Sequence, residues 1–430
     1  MQKIACLFSF KMSSWVSCQK IVFNLHRAYH RNSNLTLLNF NFSSDQSYDE
    51  IIQTAKSIVE SKPDIITILD HKPHPLPILQ LIKIELNKKR MKPRFIFHIF
   101  GDFTLYYPEW DKLSKVLQDF KVDFIVASDR QKILIDKYLT HPMSCHVCPF
   151  PVDEKEFSFT PSLRIVQRKE WKLKEDDLAF VFTGRLSRQK RIHTLLEAFS
   201  DFLIKTKTQK AHLFLYGNPD HIGDQFLGKW ETEGEYFRKI NRIYKSLPKR
   251  VQDKIHFMGS VPNEELKAVY QGADYLVNLS VHNDEDYGMS VAEALCSGLP
   301  AILTDWGGLA SFELKKVPEA TEFIPVKIGK ASKLIHYDYV VETLTKKLKI
   351  GQLKNRDEIS HEAIERFSLN PASVIIQGVL DSSPATFTKF GPLFEKILSA
   401  ISFTATPYIT DRKNINEIYR EIYSSYVRDH

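Results

Sequence analysis

Short apolar runs alternate with helical patterns along the first part of the chain. Ile4–Phe8, Leu35–Phe42, Asp64–Leu69 (DIITIL), Arg94–Phe100 (RFIFHIF) and Asp123–Ala127 (DFIVA) have the length and content of buried strands. Between them Gln19–Arg31, Tyr48–Ser61, Pro75–Arg90 and Arg130–Leu139 read as helices; in Tyr48–Ser61 the residues Ile51, Ile52, Ala55, Ile58 and Val59 recur at helical spacing. The Pro-rich, polar stretch Cys148–Leu163 (CPFPVDEKEFSFTPSL) breaks the alternation and reads as a linker. A second series follows: strands at Leu178–Thr183, His212–Tyr216, Ile255–Met258, Tyr275–Leu279 and Ala301–Leu303, with helices at Ile192–Leu203, Asn263–Gln271 and Ser290–Cys296. Strand–helix alternation predicts parallel sheets covered on both faces. The expected fold is therefore α/β, with two Rossmann-like domains facing across a cleft. Ligands bind such sheets at the carboxyl ends of their strands. The expected organisation is a first domain over 1–160, a second over 161–365, and a helical segment with extension over 366–430, with helices at Phe390–Ile401 and Asn414–Tyr426.

Composition adds one asymmetry. The chain has 430 residues and 16 glycines, and Gly101 is the sole glycine before Gly184. This excludes a Gly-rich phosphate loop from the first third, and with it a standard P-loop or an N-terminal dinucleotide domain. The formal net charge of +7, from 59 basic and 52 acidic residues, points to anionic partners such as phosphates or a membrane surface. It lacks the dense basic blocks of a nucleic-acid binder. Five cysteines, Cys6, Cys18, Cys145, Cys148 and Cys296, are too sparse for a disulfide framework and fit a reducing compartment. No apolar run reaches the roughly 18 residues of a membrane span, and Met1–Phe10, ended by Lys11, reads as a first strand. A cytoplasmic location is expected, peripheral on the inner face of the membrane if a basic helix docks there.

Two motifs carry chemistry. In Glu285–Gly308 (EDYGMSVAEALCSGLPAILTDWGG), a loop bearing Glu285 turns at Gly288 into a helix starting near Ser290. Amides at that helix start suit a diphosphate, and Glu293 in the first turns suits a ribose diol. Gly298 serves as the helix stop, with Pro300 beyond. The plainer reading is two surface glutamates on a capped helix. The second motif, Gly184-Arg185-Leu186-Ser187-Arg188-Gln189-Lys190, follows the LAFVFT strand directly. Fixed cations at a strand's carboxyl end can neutralise a departing diphosphate, although a basic cluster alone is usually a solvated face.

Together these residues resemble glycosyltransferase family 4, retaining enzymes of the GT-B fold that use nucleotide-sugar donors. The family's G-R-x-x-x-x-K element is similar to Gly184–Lys190, its glycine at a strand end to Tyr216-Gly217-Asn218-Pro219, and its F-x-G-x-V segment to Phe257–Leu266, with Gly259 and Val261. The E-x7-E element matches Glu285 and Glu293, and the D-x-G-G element Asp305–Gly308. The resemblance is strong over about 178–310; Pro149–Phe157 (PFPVDEKEF) resembles the family's linker, and earlier residues match weakly. It implies that Arg185 and Lys190 bind the donor diphosphate, that Glu285 holds the sugar hydroxyls with the backbone of Gly288, Met289 and Ser290 nearby, and that Glu293 binds the ribose. It also implies a histidine near the donor sugar, for which His98 is the match, and Asp102 toward the acceptor hydroxyl; a core-strand histidine is the alternative for His98. The implied reaction is front-face displacement with retention, needing neither a metal nor the carboxylate pair of glycoside hydrolases. No cofactor is expected beyond the UDP- or GDP-linked donor. The acceptor would be a glycan, a lipid-linked sugar or a protein, in a cell-surface polysaccharide, glycolipid or glycoconjugate pathway.

The chain departs from the family at two loops. Ser13-Ser14-Trp15 stands where the family has a Gly-rich loop, and Pro151 where its linker has a glycine. The donor class therefore transfers better than the acceptor. A non-catalytic nucleotide-sugar-binding subunit, or a phosphorylase or hydrolase using the same fold, remain the alternatives. Weaker signals have plain readings beside them. Asp284-Glu285-Asp286 spells the D-x-D of metal-dependent glycosyltransferases, but overlaps the glutamate motif. Cys145 and Cys148 with His141 and His146 lack a second ligand pair. The basic stretch Ile78–Arg94, and less so Lys346–Arg356, either touches anionic lipid or is a plain amphipathic surface. The donor sugar and base, the acceptor and the oligomeric state are left open.

Overall fold

The computed structural model describes residues 1–10, 16–70, 75–140, 144–220, 234–329, 333–400 and 420–427. The chain forms two compact units, Met1–Pro151 with Ser368–Thr404, and Val152–Phe367 with Ala405–His430. The segment expected as a separate tail over 366–430 is thus divided between them.

The first unit is built on six parallel strands: β1 (Gln2–Phe8), β2 (Leu35–Asn41), β3 (Ile65–Ile68), β4 (Arg94–His98), β5 (Val122–Val126) and β6 (Cys145–Val147), in the order β2-β1-β3-β4-β5-β6. The uninterrupted apolar runs mark strands covered on both faces; every residue of β3, β4 and β5 is buried. The helix Tyr48–Glu60 starts at a capping box written in the sequence as S-x-x-E: Glu50 N donates to Ser47 Oγ (3.3 Å), and Ser47 N donates to Glu50 Oε2 (2.7 Å). After the second unit the chain returns through the helix Leu369–Asp381. Arg94 at the start of β4 holds the end of that helix, donating to the carbonyls of Val379 (2.7 Å), Leu380 (3.0 Å) and Ser382 (3.0 Å) while pairing with Asp123 (2.6 Å). Phe390 and Phe394 then pack on Phe103, Phe124 and Tyr138.

The second unit carries β7 (Leu178–Thr183), β8 (Ala211–Tyr216), β9 (Ile255–Gly259), β10 (Tyr275–Asn278), β11 (Ala301–Thr304) and β12 (Thr321–Ile324). Their order, β12-β11-β10-β7-β8-β9, is the doubly wound arrangement whose direction reverses between β7 and β10. A hairpin of β13 (Val326–Ile328) and β14 (Lys333–Ile335) follows. Phe180, Phe182, Leu196, Phe199, Phe202 and Leu213 lie at the centre of the core beneath this sheet.

Three arginines converge at the C-terminus of the helix Asn263–Gly272, where carbonyls lack intrahelical donors. Arg164 donates to the carbonyls of Gln271, Gly272 and Ala273, and Arg168 to that of Gly272; both pair with Asp274. Arg356 donates to the carbonyls of Tyr270 (2.8 Å), Gln271 (2.8 Å), Ala273 (3.0 Å) and Gly298 (2.9 Å). Burial pushes its pKa down to about 9, which still leaves it charged at neutral pH. Arg356→Met would take the side-chain donor from the buried Tyr270 and Gly298 carbonyls, and leave those of Gln271 and Ala273 to Arg164 alone. It should lower the unfolding free energy by about 3–5 kcal/mol in a denaturant titration, and a loss under about 1 kcal/mol would show the bonds to be dispensable.

Candidate functional site

Gly184, Gly217 and Gly259 stand side by side at the carboxyl ends of β7, β8 and β9. Gly184 N donates to Tyr216 O (2.9 Å) and Gly217 N to Gly259 O (2.7 Å). A Cβ on Gly217 would lie 1.8 Å from the Gly184 carbonyl oxygen, so only glycine lets these two backbones meet. The pairing runs on past the strands: Leu186 N donates to Asn218 O (2.9 Å), and Asp220 N to Leu186 O (3.2 Å). That register brings Arg185 Nη1 to Asp220 Oδ2 (2.7 Å).

A single 3-10 turn, Arg188–Lys190, then folds the chain toward β10. Val281 N donates to Gln189 O (3.1 Å), and the Lys190 ammonium pairs with the Glu285 carboxylate. The pair spans the point where the strand order reverses, the usual ligand position in such sheets. Glu285 sits in a loop held by its own backbone: Glu285 N donates to His282 O (3.1 Å), and Gly308 N donates to Glu285 O (2.7 Å). Trp306 Nε1 also donates to His282 O (2.7 Å). The two glycines of the D-W-G-G element allow this contact. A Cβ on Gly308 would lie 2.2 Å from the Asp286 carbonyl, and one on Gly307 would lie 2.6 Å from Glu285 O.

Gly288, at φ 119°, turns the loop into the helix Met289–Cys296, one residue earlier than the sequence predicts. No side chain caps this helix, and Gly288, Met289 and Ser290 are half-exposed while Val291–Cys296 is buried. First-turn amides lack intrahelical acceptors, so the helix offers donors and a partial positive charge at an open surface. The helix ends at Gly298 (φ 72°), where Gly298 N donates to Leu295 O (2.8 Å) and Leu299 N to Ala294 O (2.9 Å), as the Gly-x-Pro pattern predicts. Glu293 is buried beside Tyr270, whose hydroxyl lies 3.5 Å from Glu293 Oε2 and 3.1 Å from Thr183 Oγ1. Burial, then the Glu293 charge, raises the Tyr270 pKa, so its hydroxyl keeps the proton it donates.

The structure thus gathers Gly184, Arg185, Lys190, Gly217, Glu285, Gly288, Met289, Ser290 and Glu293 in loops and one helix start at the carboxyl ends of β7, β8 and β10. Gly259 shares that edge, but β8 and β7 separate it and the half-buried Val261 from Glu285. Three contributors escape a motif reading: Asp220 partners Arg185, Tyr270 partners Glu293, and Trp306 fixes the Glu285 loop. Trp306 stands inside D-W-G-G and Asp220 follows Gly217-Asn218-Pro219, so both carry a local signal. Tyr270 is 23 positions from Glu293 and has none. A depression of about 660 Å³, lined by Asp176, Leu178, Lys210, Leu348 and Gln352 among others, lies at the opposite, amino ends of β7 and β8.

His98 and Asp102 belong to the first unit. His98 closes β4 with its ring enclosed in the core, Nε2 3.0 Å from Tyr29 Oη, which lies 3.3 Å from Thr67 Oγ1. This is the surrounding of a core-strand histidine. Burial pushes its pKa down to about 3, so it is neutral at neutral pH. Asp102 Oδ1 accepts from Thr104 N (2.8 Å), a local turn contact. Ser13, Ser14 and Trp15, like His141, lie outside the described residues. Cys145 and Cys148 are buried on and beside β6, and burial raises both thiol pKa values. His146 instead meets Asp123 (3.0 Å). Among the described residues no group of three or more His, Cys, Asp or Glu could hold a metal ion, and no helix is long and apolar enough to cross a membrane.

Residues 164–318 match the family model "Glycosyl transferases group 1". Mannosylfructose-phosphate synthase of Agrobacterium fabrum is 28% identical over 190 residues, 44% of this chain and 38% of that protein. D-inositol 3-phosphate glycosyltransferase of Corynebacterium urealyticum is 27% identical over 128 residues, 30% of this chain and 27% of its own. The chain spans between 27% and 38% of the length of the curated relatives it matches. Among solved structures, Anabaena Alr3699/HepE in complex with UDP aligns with a TM-score of 0.61 at 14% identity, covering 89% of this chain and 100% of that one. Sucrose-phosphate synthase from Thermosynechococcus elongatus aligns at 0.58 with 13% identity, covering 93% and 100%. These likenesses and the two parallel six-stranded sheets define an α/β, two-domain GT-B fold.

Two outcomes test this description. Gly217→Ala, with no room for its Cβ, should unfold the protein or lower its thermal midpoint by several degrees. Gly259→Ala has open space and only its φ of +72° against it, so it should cost about 1 kcal/mol; equal losses would refute the close-approach account. His98 binds its proton more weakly folded than unfolded, so the stability from keeping it neutral is present above pH 6.5 and is lost as pH falls toward 3. His98→Gln should flatten the fall in unfolding free energy between pH 6 and 4 by roughly 1.4 kcal/mol per pH unit. An unchanged slope would place the proton elsewhere.

Proposed function

We propose that this chain is a glycosyltransferase of the family 4 type, moving a sugar from a nucleotide-diphosphate sugar to an acceptor hydroxyl with retention and without a metal. The observation that carries this reading is the meeting of Lys190 and Glu285 at the reversal point of the second sheet, beside an uncapped, half-exposed helix start at Gly288–Ser290. Arg185, Lys190 and the amides of that helix would hold the diphosphate and take up charge as it departs. Glu285 would hold the sugar hydroxyls, and Glu293, oriented by Tyr270, the ribose diol. The leaving diphosphate would itself take the acceptor proton, so no second carboxylate is required. His98 would take part only as a neutral hydrogen-bonding group.

The solved neighbour's complex with UDP supports a uridine donor, and the phosphorylated polyhydroxy compounds in the curated relatives' names support a polar acceptor. The acceptor is a glycan, a lipid-linked sugar or a protein, in cell-surface polysaccharide, glycolipid or glycoconjugate synthesis. The helix Leu76–Lys89 is the candidate for contact with anionic membrane, although Lys83 and Lys88 are engaged by Lys115 O and Glu85.

A screen of UDP- and GDP-sugars for hydrolysis and thermal shift tests the reading. One donor should be consumed, with EDTA without effect. Glu285→Ala should cut transfer and donor hydrolysis at least 100-fold, and Lys190→Ala should lower kcat more than it raises donor KM. A protein that binds a nucleotide sugar but consumes none would be a binding subunit, and loss of activity in EDTA would overturn the metal-free mechanism.

A further inference from the structure

The residues 420–427 match no motif, yet Tyr423 and Tyr426 are fully buried in the second unit, against the D-W-G-G loop. The Tyr426 ring lies edge-on to the Trp306 indole at 5.4 Å, and the Tyr423 ring lies nearly parallel to it at 6.4 Å. The two tyrosines also pack on each other at 5.3 Å. The Lys333 ammonium stands 5.2 Å over the same indole and donates to Asn283 Oδ1 (2.7 Å), in the Glu285 loop itself. The indole is therefore packed by both tyrosines and Lys333, with its N–H aimed at the His282 carbonyl. Tyr426 also touches Gly307 directly: a Cβ there would lie 3.2 Å from the Tyr426 ring and 2.6 Å from the Glu285 carbonyl oxygen. Ring, glycine and carbonyl converge on one small volume.

We propose that Tyr423 and Tyr426 are positioning residues for Glu285, acting through Trp306 and Gly307. Aromatic pairs of this geometry add rigidity beyond their buried area. Removing Tyr426 takes away one of the three groups packed on the indole and opens space beside Gly307, which loosens the two bonds that fix the loop, Trp306 Nε1 to His282 O and Gly308 N to Glu285 O. Glu293 hangs from a different element and contacts Tyr270, so the nucleoside end of the site is left intact. The catalytic consequence rests on the glycosyl-transfer reading; the mechanical one does not.

The test uses the full chain as wild type, Tyr426→Ala, Tyr426→Leu, Tyr426→Phe, Glu285→Ala and the Glu285→Ala/Tyr426→Ala double variant. Amide hydrogen exchange over residues 283–288 should quicken at least tenfold in Tyr426→Ala, with β7 unchanged; Tyr426→Leu, which keeps apolar bulk, should show a smaller effect in the same direction and stands in if the alanine variant does not fold. With the donor found by screening, Tyr426→Ala should lose at least tenfold in kcat while its Kd for UDP stays within twofold. Tyr426→Phe should stay within threefold of wild type. The double variant should be no slower than Glu285→Ala alone, because both act through one carboxylate. Unchanged exchange at 283–288, or losses that multiply in the double variant, would overturn the proposal. So would a fall in UDP affinity that parallels turnover. A wild-type protein that consumes no donor defeats the transferase reading, and the exchange measurement then decides the positioning role by itself.

Discussion

Backbone meets backbone, with no side chain between, along the carboxyl edge of the second sheet. Everything else at the site hangs on that constraint. Where Gly217 abuts the Gly184 carbonyl, the β7 and β8 loops lock in register and Arg185 is delivered to Asp220. Where Gly307 and Gly308 abut the Glu285 and Asp286 backbone, the loop after β11 braces the loop after β10. A β-carbon at these points would push two loops apart by more than side-chain rotation could absorb, because the obstructing atoms are backbone. The uneven glycine distribution is the sequence trace of this packing.

The same elements are gripped from behind by buried charge. Arg356 binds the last carbonyls of Asn263–Gly272 and the carbonyl of Gly298, just past the end of Met289–Cys296. One guanidinium thus fixes the tails of two helices: the first carries Tyr270, and the second carries Glu293 and opens at Gly288. A rigid, delocalised cation suits this better than a lysine, since four carbonyls in a fixed fan match its planar donors. Stability and site geometry are therefore coupled through Arg356, although it touches neither the Lys190–Glu285 pair nor the helix start.

What the sequence made legible follows from how local each signal is. The strand–helix alternation and the stretch Gly184–Lys190 are readable because period and spacing are properties of neighbouring residues. The helices Tyr107–Leu117 and Tyr337–Ile350 are not singled out by that reading, and Pro161–Glu170 lies partly in what reads as linker. For His98 the strand was legible and the environment was not: its partner Tyr29 is 69 positions away, and burial there comes from tertiary packing. Tyr423 and Tyr426 are the extreme case: a helix is legible over Asn414–Tyr426, but nothing local announces that they reach Trp306 from more than 110 positions downstream.

The pairing of cations and carboxylates bears on how the proposed reaction would begin. Arg185 meets Asp220 and Lys190 meets Glu285, so both cations are held in place before any diphosphate arrives. Two unit charges about 4 Å apart at an effective dielectric near 20 attract by about 4 kcal/mol, comparable to what a phosphate oxygen could offer in exchange. In the proposed reaction, trading one acid for another at Lys190 would then be nearly balanced, and the exchange would release the Glu285 carboxylate beside the incoming sugar. Preorganisation of this kind has a geometric requirement: the released carboxylate must stay where it was. The bonds from Gly308 N to Glu285 O and from the Trp306 indole N–H to His282 O meet it, because they hold the loop independently of the ion pair.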